Sequence, residues 1–206
     1  MKKNLGLVHI YTGNGKGKTS WAMGLSLRAI GQGLKVNVIQ FMKGGAYTGE
    51  FISAQNFLPN IEFSQFGKKC VKEQKQLKLT ETDSGVPFFD YVRDDIECGD
   101  CRECFVNDKD AKELIDKGFA LAKKATTSGE YDLVVLDEIN VAVAFKFLPE
   151  ARVVDLIKNK FKNTELVLTG RGASKGLMDV ADYVSIVKMQ KHPFNKGILA
   201  RRGIEY

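Results

Sequence analysis

The sequence predicts an α/β fold in which a mostly parallel central sheet carries helices on both faces. Short apolar runs alternate along the chain with segments of helical periodicity, which is typical of this fold class. A glycine-rich loop also joins the first apolar run to the first helical segment. With 206 residues, 44% of them hydrophobic and 27% charged, the chain can bury one sizeable core. We therefore expect a single domain over residues 1–206.

The first elements predicted are a strand, a helix and a second strand. Residues 7–11 form an apolar run that predicts the first strand. Apolar residues at helical spacing predict a helix over 18–30, and the glycines within 31–33 suit its C-terminal cap. Residues 36–41 predict the second strand, and the glycines at 44–45 open a loop. This strand–helix–strand order fits parallel pairing.

The second half of the chain returns to the same alternation. Residues 133–136 are continuously apolar, as expected of a strand buried on both faces. Pro149 suits the first position of a helix. Periodicity and apolar runs together predict helices over 108–125 and 149–161 and strands over 133–136, 166–168 and 183–187.

The alternation fails over residues 66–107, which predict an insertion or lid that contains Cys70, Cys98, Cys101 and Cys104. Cysteines spaced two residues apart in a cytosolic protein indicate metal or redox chemistry rather than structural disulfides. Four thiolates could hold Zn²⁺ in a tetrahedron, or they could hold an iron–sulfur cluster. Free thiols or a redox pair remain the other interpretation.

The strongest motif is a phosphate-binding loop between the first strand and the first helix. Its glycines allow successive backbone N–H groups to cradle phosphate oxygens, and the helix adds its positive N-terminal end. Lys18 would neutralise phosphate charge, and the Thr19 hydroxyl would hold Mg²⁺. Thr12 stands where the usual pattern begins with glycine. The predicted nucleotide-binding residues here are Gly13, Asn14, Gly15, Lys16, Gly17, Lys18 and Thr19.

A pair of acidic residues, Asp137 and Glu138, follows the strand predicted over 133–136. In this fold class the tip of such a strand lies beside the phosphate loop, where carboxylates bind Mg²⁺ directly or through water. The loop and the acids together predict a nucleoside triphosphate with Mg²⁺. They do not name a reaction, because phosphate loops serve many.

Charge and hydropathy restrict the binding partners and the cellular location that we expect. The 31 basic and 25 acidic residues give a net charge of +6, but the two signs are mixed and no run of five like charges occurs. A nucleic-acid partner is therefore not favoured. No apolar run reaches the roughly 18 residues of a membrane span, and the N-terminus does not have a signal peptide's apolar core. We expect a cytoplasmic protein without a membrane partner.

Several segments resemble the bacterial ATP:corrinoid adenosyltransferases, which attach the 5′-deoxyadenosyl group of ATP to the cobalt of a corrinoid. The phosphate loop with Thr-Gly-Asn-Gly over 12–15 is characteristic of that family. The other matching segments are residues 28–33, 38–44, 134–138, 168–172, 179–185, 191–197 and 203–206. They follow the family's order through the whole chain except residues 66–107.

The resemblance implies a RecA-like sheet, a homodimer, ATP with Mg²⁺ at the phosphate loop and a corrinoid in a neighbouring cleft. It also implies an electron-donating reductase, expected to be a flavoprotein. Reduced Co(I) would attack the ribose C5′ carbon of ATP, and triphosphate would leave. The site must then stabilise charge on the leaving group, and no general base is needed.

The resemblance also implies roles for individual residues. Lys18, Thr19, Glu138 and Arg171 would be catalytic, with Thr19, Asp137 and Glu138 holding Mg²⁺. Arg171 would contact phosphate or corrinoid, although a surface salt bridge is its other interpretation. Arg28 could contact nucleotide or be structural, and His192 could line the site. His9 is interpreted as a satisfied strand residue. In the predicted lid, the candidate corrinoid-contacting aromatics are Phe88, Phe89, Tyr91 and Phe105.

Two other functions are consistent with a phosphate loop. A RecA-like ATPase that binds nucleic acid through the surplus of positive charge would release ADP and phosphate. A carrier would bind nucleotide or corrinoid without turnover. The product separates these hypotheses, since adenosyl transfer yields triphosphate and a cobalt–carbon bond.

Overall fold

The computed structural model describes residues 4–45, 48–68 and 109–206, and these residues form a six-stranded, fully parallel sheet. The strands lie in the order β3-β2-β4-β5-β1-β6. Their bounds are β1 Val8–Thr12, β2 Val36–Phe41, β3 Ile61–Phe66, β4 Leu133–Asp137, β5 Glu165–Thr169 and β6 Tyr183–Ile186. The α/β fold predicted from the sequence is confirmed.

Helices cover both faces of the sheet, as predicted. Their bounds are α1 Lys18–Gly31, α2 Gly49–Asn56, α3 Lys109–Thr127, α4 Ile139–Ala144, α5 Glu150–Asn159 and α6 Lys175–Asp179, with a 3-10 helix at Pro193–Lys196. On one face Ala22 of α1 packs in an apolar cluster with Val38 and Val135. On the other face Phe119 of α3 packs in a cluster with Ile39 and Leu136. The central strands β2 and β4 are buried along their whole length because both faces are covered.

Sequence patterns did not predict α2, β3, α4 and α6. Helices α4 and α6 have six and five residues, too few to display a helical period. Strand β3 lies at the sheet edge, is only partly buried and carries polar residues, so it lacks a continuous apolar run. The residues predicted as an insertion begin where β3 ends. Beyond residue 68 that stretch, including all four cysteines, lies outside the described residues, and the domain limits stay predictions.

The parallel arrangement brings the carboxyl ends of all six strands to one edge of the sheet. Ligands of open α/β sheets bind outside that edge. Here the phosphate loop follows β1, Asp137 and Glu138 occur at the end of β4, and Arg171 follows β5. The topology therefore brings together residues that are far apart in sequence. None of the described helices is both long and apolar enough to cross a bilayer.

Candidate functional site

The phosphate loop between β1 and α1 is closely fitted to the chain that follows β6. Gly13 has φ of 107° and Gly17 has φ of 109°, values that favour glycine. A Cβ on Gly13 would lie 2.3 Å from the carbonyl oxygen of Val187, so a larger residue does not fit. The Gly15 N–H donates to that same oxygen at 2.9 Å. The loop conformation thus depends on the end of the neighbouring edge strand.

Thr12 and Asn14 attach the loop to two further segments. The Asn14 Oδ1 accepts a hydrogen bond from the Met189 N–H at 3.0 Å. The Thr12 Oγ1 accepts one from the Ala173 N–H at 3.1 Å, and Thr12 is only 6% exposed. Gly13 and Asn14 therefore lie in the predicted loop but contribute to its anchoring rather than to the cavity described next.

A cavity of about 640 Å³ lies over the phosphate loop. Eight of the twelve predicted site residues that the structure describes line it: residues 15–19, Glu138, Arg171 and His192. Two walls were not predicted from the sequence, one from α2 with Glu50 and Ser53, the other from the C-terminal segment, residues 203–206. The volume is in the range of small-molecule sites.

Lys18 is held inside the loop. Its Nζ donates to the Gly15 carbonyl at 2.7 Å, and the residue is 7% exposed. Burial lowers the pKa of Lys18 below its ordinary value, an effect that the nearby Glu138 carboxylate opposes. The loop thus holds the Lys18 ammonium close to its own backbone. A cation beside backbone N–H groups is the combination that binds phosphate.

Asp137 lies beneath the cavity at the centre of a buried polar network. Its carboxylate accepts hydrogen bonds from Thr19 Oγ1 at 2.9 Å, Gln40 Nε2 at 2.9 Å and Thr169 Oγ1 at 2.5 Å. Burial acts to raise the pKa of Asp137, but Lys43 and these hydrogen bonds outweigh it, so the pKa is lowered. Asp137 is therefore an anion fixed next to Thr19, as the predicted Mg²⁺ site requires.

Lys43 is a cavity residue to which the sequence analysis gave no role. Its Nζ lies 3.3 Å from Thr19 Oγ1, 3.3 Å from Asp137 Oδ2 and 3.8 Å from Glu50 Oε1. Burial acts to lower the pKa of Lys43, but the carboxylates of Asp137 and Glu50 raise it overall. The lysine belongs to the segment over 38–44 that resembles the family, which is the one sequence signal that could have identified it.

The position of the Lys43 ammonium indicates whether Thr19 and Asp137 could bind a metal ion. It lies 3.3 Å from both the Thr19 hydroxyl and the Asp137 carboxylate, so two of the side chains predicted to bind Mg²⁺ do stabilise a cation. Hard oxygen donors are the ligands that Mg²⁺ prefers, usually together with substrate phosphates. Among the described residues, no group of three His, Cys, Asp or Glu forms a metal centre. The donors fit Mg²⁺ that arrives with a triphosphate.

Glu138 immediately precedes α4 and has a backbone conformation that is uncommon for residues other than glycine. Its φ is 62°, and its N–H donates to Thr169 Oγ1 at 3.1 Å. Burial and the charge of Asp137 raise the pKa of Glu138. The strained backbone keeps this carboxyl at the cavity wall, and such strain is concentrated at functional sites.

The C-terminal segment, residues 203–206, is tied to the phosphate loop by Glu205. This carboxylate pairs with Lys16 Nζ at 2.5 Å and accepts hydrogen bonds from the Arg201 N–H at 2.8 Å and the Arg201 Nε at 3.2 Å. Arg201 and Lys16 together lower the pKa of Glu205 to about 2. The segment was part of the family resemblance, but sequence alone did not place it at the cavity.

Replacing Glu205 with glutamine should produce a pH-dependent loss of stability. A carboxyl whose pKa falls from 4.5 to about 2 on folding stabilises the protein fully above about pH 4.5. That stabilisation is lost as the pH falls towards 2. We expect the difference in free energy of unfolding between wild type and Glu205→Gln, measured with urea, to be constant above pH 5 and to shrink below it.

Arg201→Gln provides the control, because it removes the largest cause of the lowered pKa. In that background the effect of Glu205→Gln should disappear at a higher pH. A difference that does not change between pH 7 and pH 3 would show that the pair does not form. The effect is small because the pair is exposed.

The remaining predicted residues are placed differently. His9 Nε2 is 2.6 Å from Glu165 Oε1, and its ring stacks on Tyr183, so it is a satisfied strand residue as expected. His192 lines the cavity, and its Nδ1 accepts a hydrogen bond from the Phe194 N–H. Arg28 is exposed in the last turn of α1 and does not line the cavity. Its contact with nucleotide stays a prediction, as do the predicted roles of the cysteines and lid aromatics.

Comparison with known proteins identifies related sequences over nearly the whole chain. The family model for ATP:corrinoid adenosyltransferase BtuR/CobO/CobP matches residues 4–101 and 82–206. A corrinoid adenosyltransferase from Pseudomonas aeruginosa is 31% identical over 201 residues, which cover 98% of this chain and 84% of that protein. One from Escherichia coli is 30% identical over 203 residues, which cover 98% and 86%. Corrinoid adenosyltransferase CobA from Salmonella typhimurium is 29% identical over 203 residues, with the same coverage.

Among solved structures, EssC (ATPases 2 and 3) from Geobacillus thermodenitrificans is similar with a TM-score of 0.44 and 13% identity. The similarity covers 96% of this chain and 35% of that one. This score is too low to establish a shared fold. The fold class rests on the parallel sheet described above.

Proposed function

This chain belongs to the ATP:corrinoid adenosyltransferase family, and we propose that the cavity over its phosphate loop holds the ATP from which the adenosyl group is transferred to a reduced corrinoid. One observation carries the proposal. Lys18, Thr19, Glu138 and Arg171 line a single cavity, although the chain separates the first from the last by more than 150 residues. These are the residues that the family resemblance names for catalysis.

The chemistry requires stabilisation of the leaving triphosphate. When the ribose C5′ carbon forms a bond to cobalt, its bond to the phosphate oxygen breaks and the electron pair goes to that oxygen. The Lys18 ammonium and the backbone N–H groups of residues 16–18, which line the cavity, would stabilise this charge as it develops. The guanidinium of Arg171, which also lines the cavity, adds a second cation.

Thr19, Asp137 and Glu138 would hold Mg²⁺, which supplies positive charge to the phosphates when bound. For this the Thr19 hydroxyl, which donates to Asp137, must turn a lone pair towards the cavity. Lys43 must move away from Thr19 and Asp137, and Glu50, 3.8 Å away, offers it a partner. No side chain is assigned as a general base, since the nucleophile is the reduced cobalt of the substrate.

The test is anaerobic incubation of the protein with ATP, Mg²⁺ and a chemically reduced corrinoid. We expect the light-sensitive spectrum of an alkylated cobalt, with one triphosphate formed for each cobalt–carbon bond. ADP and phosphate formed independently of corrinoid would instead support the ATPase hypothesis, which the comparisons do not favour. Binding of both ligands without product would support the carrier hypothesis. Protein with Lys18→Met is the matched control for adventitious alkylation.

We also propose that the cysteines at 98, 101 and 104, with Cys70, hold a metal ion or cluster that fixes the shape of the predicted lid. The support is their spacing in the sequence. Purified protein should contain stoichiometric zinc or iron by elemental analysis, and a double variant Cys98→Ser with Cys101→Ser should lose both the metal and most of the activity. Unchanged metal content in that variant would refute the proposal.

Three expectations about partners and location also remain proposals: a homodimer, an electron-donating flavoprotein reductase and a cytoplasmic location. Support for the homodimer comes from β6, an edge strand on which Tyr183, Val184 and Ile186 are 41–59% exposed. Sedimentation analysis should give twice the chain mass, and Ile186→Lys should shift the species towards one chain. A monomeric wild type would exclude the dimer.

A further inference from the structure

We propose that Thr12 is a positioning residue whose hydroxyl holds the loop carrying Arg171 against the phosphate loop, so that the guanidinium is set towards the triphosphate of ATP. This inference rests on the proposed function, because it assumes that Arg171 contacts the nucleotide. It gives a reason for the one departure of this phosphate loop from the usual pattern, which has glycine where this chain has Thr12.

Thr12 accepts hydrogen bonds through both its main chain and its side chain. It is the last residue of β1, and its carbonyl accepts a hydrogen bond from the Val187 N–H at 2.8 Å. Its Oγ1 accepts a hydrogen bond from the N–H of Ala173, 161 positions further along the chain. A glycine would keep the first bond and lose the second. The side chain of Thr12 therefore makes a link that the usual phosphate loop cannot make at this position.

The loop that follows β5 is anchored on both sides of Arg171. Before it, the Gly170 N–H donates to the Tyr11 carbonyl at 3.2 Å. After it, the Ala173 N–H donates to Thr12. Between these anchors Gly170 has φ of 127° and Gly172 has φ of 72°, so the chain makes a sharp turn with Arg171 at its tip. The Gly170 carbonyl also accepts a hydrogen bond from Asn140 Nδ2 at 3.4 Å, but of the two N–H anchors only the second is bound by a side chain.

The Arg171 side chain has no hydrogen-bond partner within the described parts of the chain, although its charge acts on those of Glu138 and Lys18. It is exposed at the cavity wall, and no hydrogen bond or ion pair joins it to another described residue. The backbone on either side therefore fixes the position of the Arg171 Cα, from which the guanidinium reaches the cavity. A catalytic cation must be preorganised to act, and a displacement of about 1 Å can cost about 100-fold in rate. Loosening the Ala173 anchor should thus weaken the contribution of Arg171.

The experiment combines substitutions at the two positions. Thr12→Val has nearly the shape of threonine but no hydroxyl, and Thr12→Ser keeps the hydroxyl. Each is measured alone and together with Arg171→Ala, as kcat/KM for ATP with saturating reduced corrinoid and as the Kd of ATP. We expect Thr12→Val to lower kcat/KM by about 10-fold and Thr12→Ser by less than about twofold. In the Arg171→Ala background, Thr12→Val should have no further effect.

An equal loss from Thr12→Val with and without Arg171 would overturn the proposal, because the hydroxyl would then support the fold rather than Arg171. An Arg171→Ala protein with full activity would overturn it too, while the product made by wild type would leave the transferase function standing. Failure of wild type to form product would instead refute the proposed function itself. Should Thr12→Val not fold, Thr12→Gly takes its place, because glycine is the residue that phosphate loops ordinarily have here.

Discussion

Lys18→Met should lower kcat/KM for adenosyl transfer by about 100-fold or more, which is the expected cost of removing a preorganised group that faces developing charge. The lysine is 7% exposed, and its only partner among the described residues is the Gly15 carbonyl. Methionine has similar length and no charge, so the loop should keep its shape. Steady-state kinetics with reduced corrinoid, and a titration with ATP, measure the effect.

Lys16→Met is the matched control. Lys16 belongs to the same loop and lines the same cavity, but its side chain is 45% exposed and it is already paired with Glu205. Its loss should cost much less than the loss of Lys18. Equal effects of the two substitutions would mean that the loop acts through its total charge, and that the position of Lys18 has no special importance.

Asp137→Asn is expected to destabilise the protein by about 3 kcal/mol and to abolish Mg²⁺-dependent binding of ATP. The carboxylate is buried and accepts hydrogen bonds from three side chains, while the Lys43 ammonium is 3.3 Å away. Asparagine removes the negative charge and leaves Lys43 with Glu50 at 3.8 Å as its nearest anion. Unfolding in urea gives the first quantity, and calorimetric titration with ATP and Mg²⁺ gives the second.

The same substitution at Asp116 is the control. Asp116 pairs with Arg152 and Lys112 on the surface, and exposed pairs contribute at most about 1 kcal/mol. Asp116→Asn should leave ATP binding unchanged. A variant at Asp137 that is as stable as the one at Asp116 would contradict the buried network around Asp137.

The phosphate loop and the acidic pair were predictable because each is a local pattern next to a strong strand signal. Gly13, Lys18 and Thr19 lie within a few residues of one another, and Asp137 ends a wholly apolar strand. The parallel sheet followed from the alternation of runs. All three features can be recognised from the sequence without knowing which strands are neighbours in the sheet.

The other walls of the cavity could not be predicted because they depend on tertiary contacts. Glu50 lies in the first turn of α2, a helix of only eight residues, and Glu205 pairs with Lys16 across 189 positions of chain. Arg28 is the opposite case, a predicted site residue that does not line the cavity. It is ten residues beyond Lys18 on α1, and a helix rises about 1.5 Å per residue, so it lies about 15 Å further along the axis.

The hydrogen bond from Gly15 to Val187 joins the nucleotide site directly to the outer edge of the sheet. Among the described strands, β6 has a neighbour on one side only, and such an unpaired edge is available for contact with another molecule. Any contact that shifts this strand should also shift the phosphate loop. Binding of another molecule at this edge should therefore change the affinity for nucleotide directly, without conformational changes in the protein interior.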